Sequence, residues 1–139
     1  SINKWLNSRL NRTEFMPFAP VTTLEIAERV FLGFNAENTA ADFMTITYTV
    51  TEEFSKKCPA AVHVDNTARP QIVRKEVNPQ LHELISTYCE RTGDLGLINT
   101  SLNNHEEPII DSLSDALKTL DDGNVDLLVL NDTIITLKS

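Results

Sequence analysis

Cysteine is scarce in this chain of 139 residues. Cys58 and Cys89 stand far apart and fit neither a Cys-x-x-Cys nor a Cys/His ligand spacing. That argues against a disulfide framework or a zinc site and for buried, reduced thiols in a cytoplasmic protein. Long apolar runs are missing as well. None approaches the roughly 20 residues that cross a bilayer, and no signal-peptide pattern opens the chain, so no membrane partner is expected. Basic charge is short: 12 Lys and Arg face 20 Asp and Glu, a formal charge of −8. General nucleic-acid binding needs a concentrated basic surface and is disfavoured, so no nucleic-acid partner is expected. A small phosphorylated ligand is not excluded, because distant charges are screened over about 8 Å and local arginines dominate a cleft. Arg69, Arg74 and Lys75 are one such local set, and Arg9 with Arg12 another. Motifs for nucleophilic or metal chemistry are lacking too. Ser101 has no Gly-x-Ser-x-Gly around it, and the three histidines form no His-Glu-x-x-His pattern.

What is present is the composition of an ordinary globule, 41% apolar and 23% charged, long enough for one domain with one core. Ile2, Trp5, Leu6 and Arg9 have helical spacing but no capping sequence before them. Pro17 to Thr22 reads as an edge strand or extended loop, since its prolines exclude a helix interior. Thr23 is positioned to cap a helix through Glu25–Phe31, with Gly33 as its stop. Residues 35–41 read as a loop, and the alternation from Phe43 to Val50 as a strand. A short helix over Thr51–Lys57 and strands at Ala61–Val64 and Gln71–Lys75 follow. Asn78-Pro79 opens a helix whose face is Leu81, Leu84, Ile85, Tyr88 and Cys89, ended by Gly93. Leu95–Ile98 is a strand. Asp111 or Ser112 starts a helix with Leu113, Ala116, Leu117 and Leu120 inside. Val125–Leu130 and Thr133–Leu137 form a hairpin. The sum is an α/β fold: a mixed, twisted β-sheet with flanking helices.

Asn99-Thr100-Ser101-Leu102-Asn103 concentrates amide and hydroxyl groups between a strand and a helix signal. In open α/β sheets that is where ligands sit, although Asn and Ser also satisfy their own turns. Ser101 and Asn103 suit hydrogen bonding to a ligand oxygen. Glu107 is placed to orient an arginine or a ribose hydroxyl, or is a solvated carboxylate. Upstream, His63, Asp65, Thr67 and Arg69 alternate, and in an extended chain such residues share a face. Arg69 has the planar fork that grips phosphate, or it pairs with Asp65 at the surface. His63 is a general base or a structural histidine. His82 reads as exposed and inert, and His105 as either part of the loop's chemistry or solvated.

Three ordered blocks carry a family resemblance. Arg12-Thr13-Glu14-Phe15-Met16-Pro17-Phe18-Ala19-Pro20 is similar to Arg-x-x-Phe-x-Pro-Phe-Ala-Pro. His63 to Gln71 is similar to His-x-Asp-x-Thr-x-Arg-x-Gln. Asn99 to Asn103 with Glu107-Pro108-Ile109 is similar to Asn-Thr-Ser-Phe-Asn … Gly-Glu-Pro-Ile. Together they resemble the C-terminal domain of the O-carbamoyltransferases of nodulation-factor and antibiotic biosynthesis. The resemblance implies a YrdC-like domain, akin to threonylcarbamoyl-adenylate synthases, that binds ATP and carbamoyl phosphate and forms carbamoyl-adenylate. It implies Mg²⁺ held through the phosphates, and a preceding Kae1-like transfer domain that alone carries Fe²⁺. On that basis the chain is an excised domain, residues 1–139, whose acceptor alcohol and oligomeric state stay open. By the same resemblance, Arg12, Arg69, Thr67, Asn99, Thr100, Ser101, Asn103 and Glu107 line the nucleotide site, with Arg69, Ser101, Asn103 and His63 closest to the chemistry. Ser101-Leu102-Asn103 matches the Ser-x-Asn pair of that fold. Arg12 fits the arginine of its Lys-x-Arg pair, and Leu10 stands where the lysine would be, with Arg9 compensating or a lysine entering from elsewhere. The alternatives are a noncatalytic nucleotide-binding or docking module and a stand-alone threonylcarbamoyl-adenylate synthase-like enzyme.

Overall fold

The computed structural model describes residues 2–9, 18–103 and 107–137. The chain divides into two compact units, residues 16–100 and residues 1–15 with 101–139.

The larger unit is built on β1 (Ala19–Thr23), every residue of which is buried. β1 pairs in parallel with β4 (Gln71–Val73) and antiparallel with β5 (Leu97–Asn99), a mixed sheet of order β4-β1-β5. The prolines of this segment favour an edge, yet β1 is central. Pairing with β4 begins only at Val21, so Pro20 lies where β5 is the single neighbour and its missing N–H forfeits no bond on the β4 side.

One face of the sheet is covered by α4 (Pro79–Thr92), through a cluster of Val21, Val73, Ile85 and Cys89. Both ends of α4 follow from local signals. The Asn78 side chain accepts from the Leu81 amide, Pro79 occupies the first turn, and Gly93 closes the helix in the left-handed region at φ 76°. The inner stripe differs from the expected one. His82, Ile85 and Cys89 are buried and Leu84 is exposed. His82 lies inside because Nε2 meets Glu25 at 3.0 Å, a partner 57 residues away that helical spacing does not reveal.

The second cluster joins α2 (Leu24–Val30), α3 (Glu52–Lys57) and the segment between them around Ala27, Val30, Phe31, Val50, Phe54, Ala68 and Ile72. Thr51 caps α3 through its hydroxyl, whereas Thr23, expected to cap α2, stands at its N-terminus without a side-chain capping bond. The strand expected from Phe43 to Val50 is cut to β2 (Tyr48–Thr49), because Thr39–Phe43 winds as a 3₁₀ turn and Met44 takes the left-handed region. β2 pairs with β3 (Thr67–Ala68). No strand forms at Ala61–Val64; Pro59–Ala61 is a second 3₁₀ turn.

Gly96 lies against β1. A Cβ there would stand 2.7 Å from the Val21 carbonyl oxygen and 3.2 Å from Thr22 Cβ. The same crossing is tied by Thr22 Oγ1 donating to the Leu95 carbonyl at 2.7 Å. Gly96→Ala therefore forces β1 and β5 apart and is expected to cost about 1–3 kcal/mol, the usual range for overpacking. Urea denaturation checks this, and a variant as stable as the parent contradicts it.

The smaller unit contains α1 (Ile2–Arg9), α5 (Leu113–Asp121) and the hairpin β6 (Leu128–Leu130) and β7 (Thr133–Ile135). Its core is Ala116, Leu120 and Leu128, packed by Leu102, Ile110, Leu117, Val125, Leu130 and Ile135. Ser112 is the cap of α5, accepting from the Asp115 amide, while Leu113 is exposed instead of joining the stripe. The hairpin is shorter than expected, and Val129 and Ile134 face solvent. Among the described residues no helix is long and apolar enough to cross a membrane.

Candidate functional site

In the larger unit the alternating residues meet through a turn, not along an extended strand. Asn66 sits in the left-handed region at φ 61°. His63 N–H donates to the Thr67 carbonyl at 2.7 Å, closing residues 63–67 on themselves. Within that turn Thr67 Oγ1 donates to Asp65 Oδ1 at 2.7 Å and lies 3.0 Å from His63 Nδ1. A hydroxyl has one proton. With it given to Asp65, His63 Nδ1 is the donor to Thr67, and Nε2 is left as the second ring nitrogen. The Thr67 hydroxyl, helped by its backbone N–H, holds the Asp65 carboxyl below its ordinary 3.8.

Arg69 is exposed and makes no ion pair with Asp65. Its Nη1 donates to the Met44 carbonyl at 3.4 Å, near the outer limit of a hydrogen bond. The guanidinium is thus oriented while most of its donors face outward. Asn99, at the end of β5, reaches across the sheet face: Nδ2 donates to Gln71 Oε1 at 2.6 Å and lies 3.6 Å from Met44 Sδ. Register explains the reach, since Gln71 pairs with Val21 and Asn99 with Ala19, two same-face positions of β1. Arg69 and Asn99, 30 residues apart in sequence, therefore converge on Met44. Thr100, next along, is exposed.

The remaining loop residues belong to the smaller unit, the division falling between Thr100 and Ser101. Ser101 is exposed and Leu102 packs into the Ala116–Leu120–Leu128 cluster. Asn103 Nδ2 donates to the Glu107 carbonyl at 2.8 Å, so this amide shapes its own loop. Glu107 borders a cleft of about 390 Å³ with Asp111, Asp115, Lys118 and Asp122. Arg12 and His105 lie outside the described residues.

Two expected cations are committed elsewhere. Arg9 grips Asp126 with both terminal nitrogens (2.6 and 3.2 Å), donates Nε to the Gly123 carbonyl and lies 5.3 Å from the Trp5 ring centroid. A guanidinium so engaged is a structural tie of its unit. Arg74 pairs with Asp42 at 2.7 Å. Cys58 and Cys89 are free thiols, and burial pushes both up, away from thiolate chemistry. Among the described residues no three His, Cys, Asp or Glu side chains gather as a metal-ligand set.

Sequence reasoning missed Asp42, Met44 and Gln71 as parts of this arrangement. Gln71 carried a signal, as the last residue of the alternating block. Met44 and Asp42 carried none, since both act through a turn whose geometry is set by tertiary contacts.

The sequence comparisons decide the lineage. The family model described as carbamoyltransferase C-terminus matches residues 1–137. This chain belongs to that family. Among its relatives, the nodulation protein NolNO of Sinorhizobium fredii is 36% identical over 89% of this chain and 18% of its own length. The 3'-hydroxymethylcephem-O-carbamoyltransferase of Amycolatopsis lactamdurans is 34% identical over 92% of this chain and 24% of its own. The uncharacterized protein MJ1058 of Methanocaldococcus jannaschii is 34% identical over 96% and 21%, respectively. The chain thus spans about a fifth of the length of these curated relatives, consistent with a further domain in those longer chains.

Proposed function

We propose that this carbamoyltransferase C-terminal domain is YrdC-like, binds ATP and carbamoyl phosphate, and forms carbamoyl-adenylate. The carbamoyl group is then transferred to an acceptor hydroxyl by a Kae1-like, Fe²⁺-binding domain of the full-length polypeptide. In balance, carbamoyl phosphate, ATP and water give carbamoyl-adenylate, pyrophosphate and orthophosphate. Water cleaves carbamoyl phosphate to carbamate and orthophosphate, and a carbamate oxygen then bonds to the α-phosphorus of ATP as the bond to the pyrophosphate oxygen breaks.

The observation that supports this reading is Arg69. An exposed guanidinium, tethered at one nitrogen and free of carboxylate partners among the described residues, offers the bidentate fork that polyphosphate oxygens take. Catalysis of this kind rests on positioning and on neutralising charge as it develops on the leaving group. In this scheme Arg12 is a second phosphate ligand, Ser101 and Asn103 hold carbamoyl or α-phosphate oxygens, and Glu107 addresses the ribose. Mg²⁺ enters with the nucleotide, held by phosphates and water.

One observation favours a second reading, a noncatalytic nucleotide-binding or docking module. Thr67, His63 and Asp65 are satisfied by one another, and Asn103 holds its own loop. A pyrophosphate-release assay on the full-length polypeptide separates the two. Release that needs both ATP and carbamoyl phosphate is the expected result. Nucleotide affinity without release selects the second reading.

A further inference from the structure

The Met44 corner that holds Arg69 is conformationally expensive and tied down from a distance. Met44 has φ 57° and ψ 35°, a left-handed backbone that a side-chain-bearing residue adopts only where the surroundings impose it. Two ties impose it here. Thr45 Oγ1 donates to the Ala40 carbonyl at 2.5 Å, bracketing the 3₁₀ turn. Two residues before the corner, Asp42 Oδ2 accepts from Arg74 Nε at 2.7 Å, with side chains only 15% and 10% exposed. Arg74 directly follows β4, so this pair fastens the turn to the sheet strand that begins with Gln71. The pair is monodentate: Asp42 Oδ1 and Arg74 Nη2 are buried without hydrogen-bond partners. A surface ion pair would add little, but a buried one fixes geometry, because neither charge has water to fall back on.

We propose that Asp42 and Arg74 are positioning residues for the nucleotide site, acting through the Met44 corner to set the guanidinium of Arg69. This rests on the phosphate-binding role given to Arg69. The chain of contacts is continuous: Arg74 to Asp42, Asp42 through the backbone to Met44, and the Met44 carbonyl to Arg69 Nη1. Met44 Sδ extends it to Asn99. Neither Asp42 nor Arg74 need touch substrate.

The test is a double-mutant cycle in the full-length polypeptide, read as ATP affinity by calorimetry. Asp42→Asn is expected to weaken binding about fivefold in the parent and less than twofold in Arg69→Ala, the coupling usual for residues sharing one network. An equal loss in both backgrounds overturns the proposal. A second, ligand-free readout is the rate at which phenylglyoxal modifies Arg69, followed by mass spectrometry. It should rise in Asp42→Asn and stay nearer the parent rate in Arg74→Lys, which keeps a cation opposite Asp42. An unchanged rate in Asp42→Asn also overturns the proposal. A raised rate in Asp42→Asn, with ATP affinity unaltered by Asp42→Asn and by Arg69→Ala, upholds the positioning and sinks the phosphate role. Should Asp42→Asn fail to fold, Asp42→Asn with Arg74→Gln removes both charges together and carries the same two measurements.

Discussion

Replacing Arg69 by alanine is expected to weaken ATP binding at least tenfold, about 1.5 kcal/mol, while leaving the fold intact. The magnitude is the low end for hydrogen bonds made to a charged partner. The second half of the expectation comes from the surroundings. Arg69 is exposed and its one hydrogen bond, to Met44, is long, so truncation opens no cavity and strands no buried charge. Surface changes of that kind stay within about 0.5 kcal/mol of the parent in stability. Arg69→Lys keeps the charge but loses the planar fork, and should fall between the two. Titration calorimetry with ATP decides: affinity unchanged in Arg69→Ala removes Arg69 from the phosphate site.

The elements legible in the sequence are those whose instructions are local. Asn78-Pro79, Thr51 and Ser112 announce helix starts because a cap bonds an amide three residues on, and Gly93 announces a stop because its backbone is left-handed. The strands at Gln71 and Leu97 are legible as short apolar runs, but the central β1 reads as an edge because of its prolines, and the pairing is not legible. What failed did so where distant partners override periodicity. The alternation of Phe43 to Val50 is a good strand pattern, but Arg74 pulls Asp42 into a 3₁₀ turn and Met44 ends it. His82 looks like a polar-face residue until Glu25 is brought beside it.

The candidate site shows the same division. His63, Asp65 and Thr67 gather while Arg69 turns to Met44, and the agent is a turn at Asn66, whose side-chain amide donates to the Val50 carbonyl and whose carbonyl accepts from Val50 N–H. Spacing implied a shared face along an extended chain, where the residues are joined by a turn. The polar run at 99–103 is likewise divided in its duties. Asn99 reads out the sheet through Gln71, while Leu102 and Asn103 build the smaller unit.

The largest stability effect is expected at Phe54, and it bears on the site because of what that ring supports. Phe54 is fully buried, its centroid 5.1 Å from that of Phe31, in the cluster that also holds Val50 and Ala68. Val50 and Ala68 flank the Asn66 turn, and Ser55 Oγ, next to Phe54 on α3, donates to Asn66 Oδ1 at 2.6 Å. Removing the ring leaves a void under the segment that carries Arg69, where neighbours on α2, α3 and β3 are already fixed by their own bonds and collapse poorly. Phe54→Ala should therefore cost about 3–5 kcal/mol, the range for a buried phenylalanine. Against the roughly 5–15 kcal/mol that stabilises a typical domain, that is a fifth of the total or more. Phe43→Ala is the control, since that ring is 72% exposed and should cost under about 0.5 kcal/mol. Urea denaturation of both variants makes the comparison. A Phe54→Ala loss no larger than that of Phe43→Ala would mean that this cluster does not hold the turn in place.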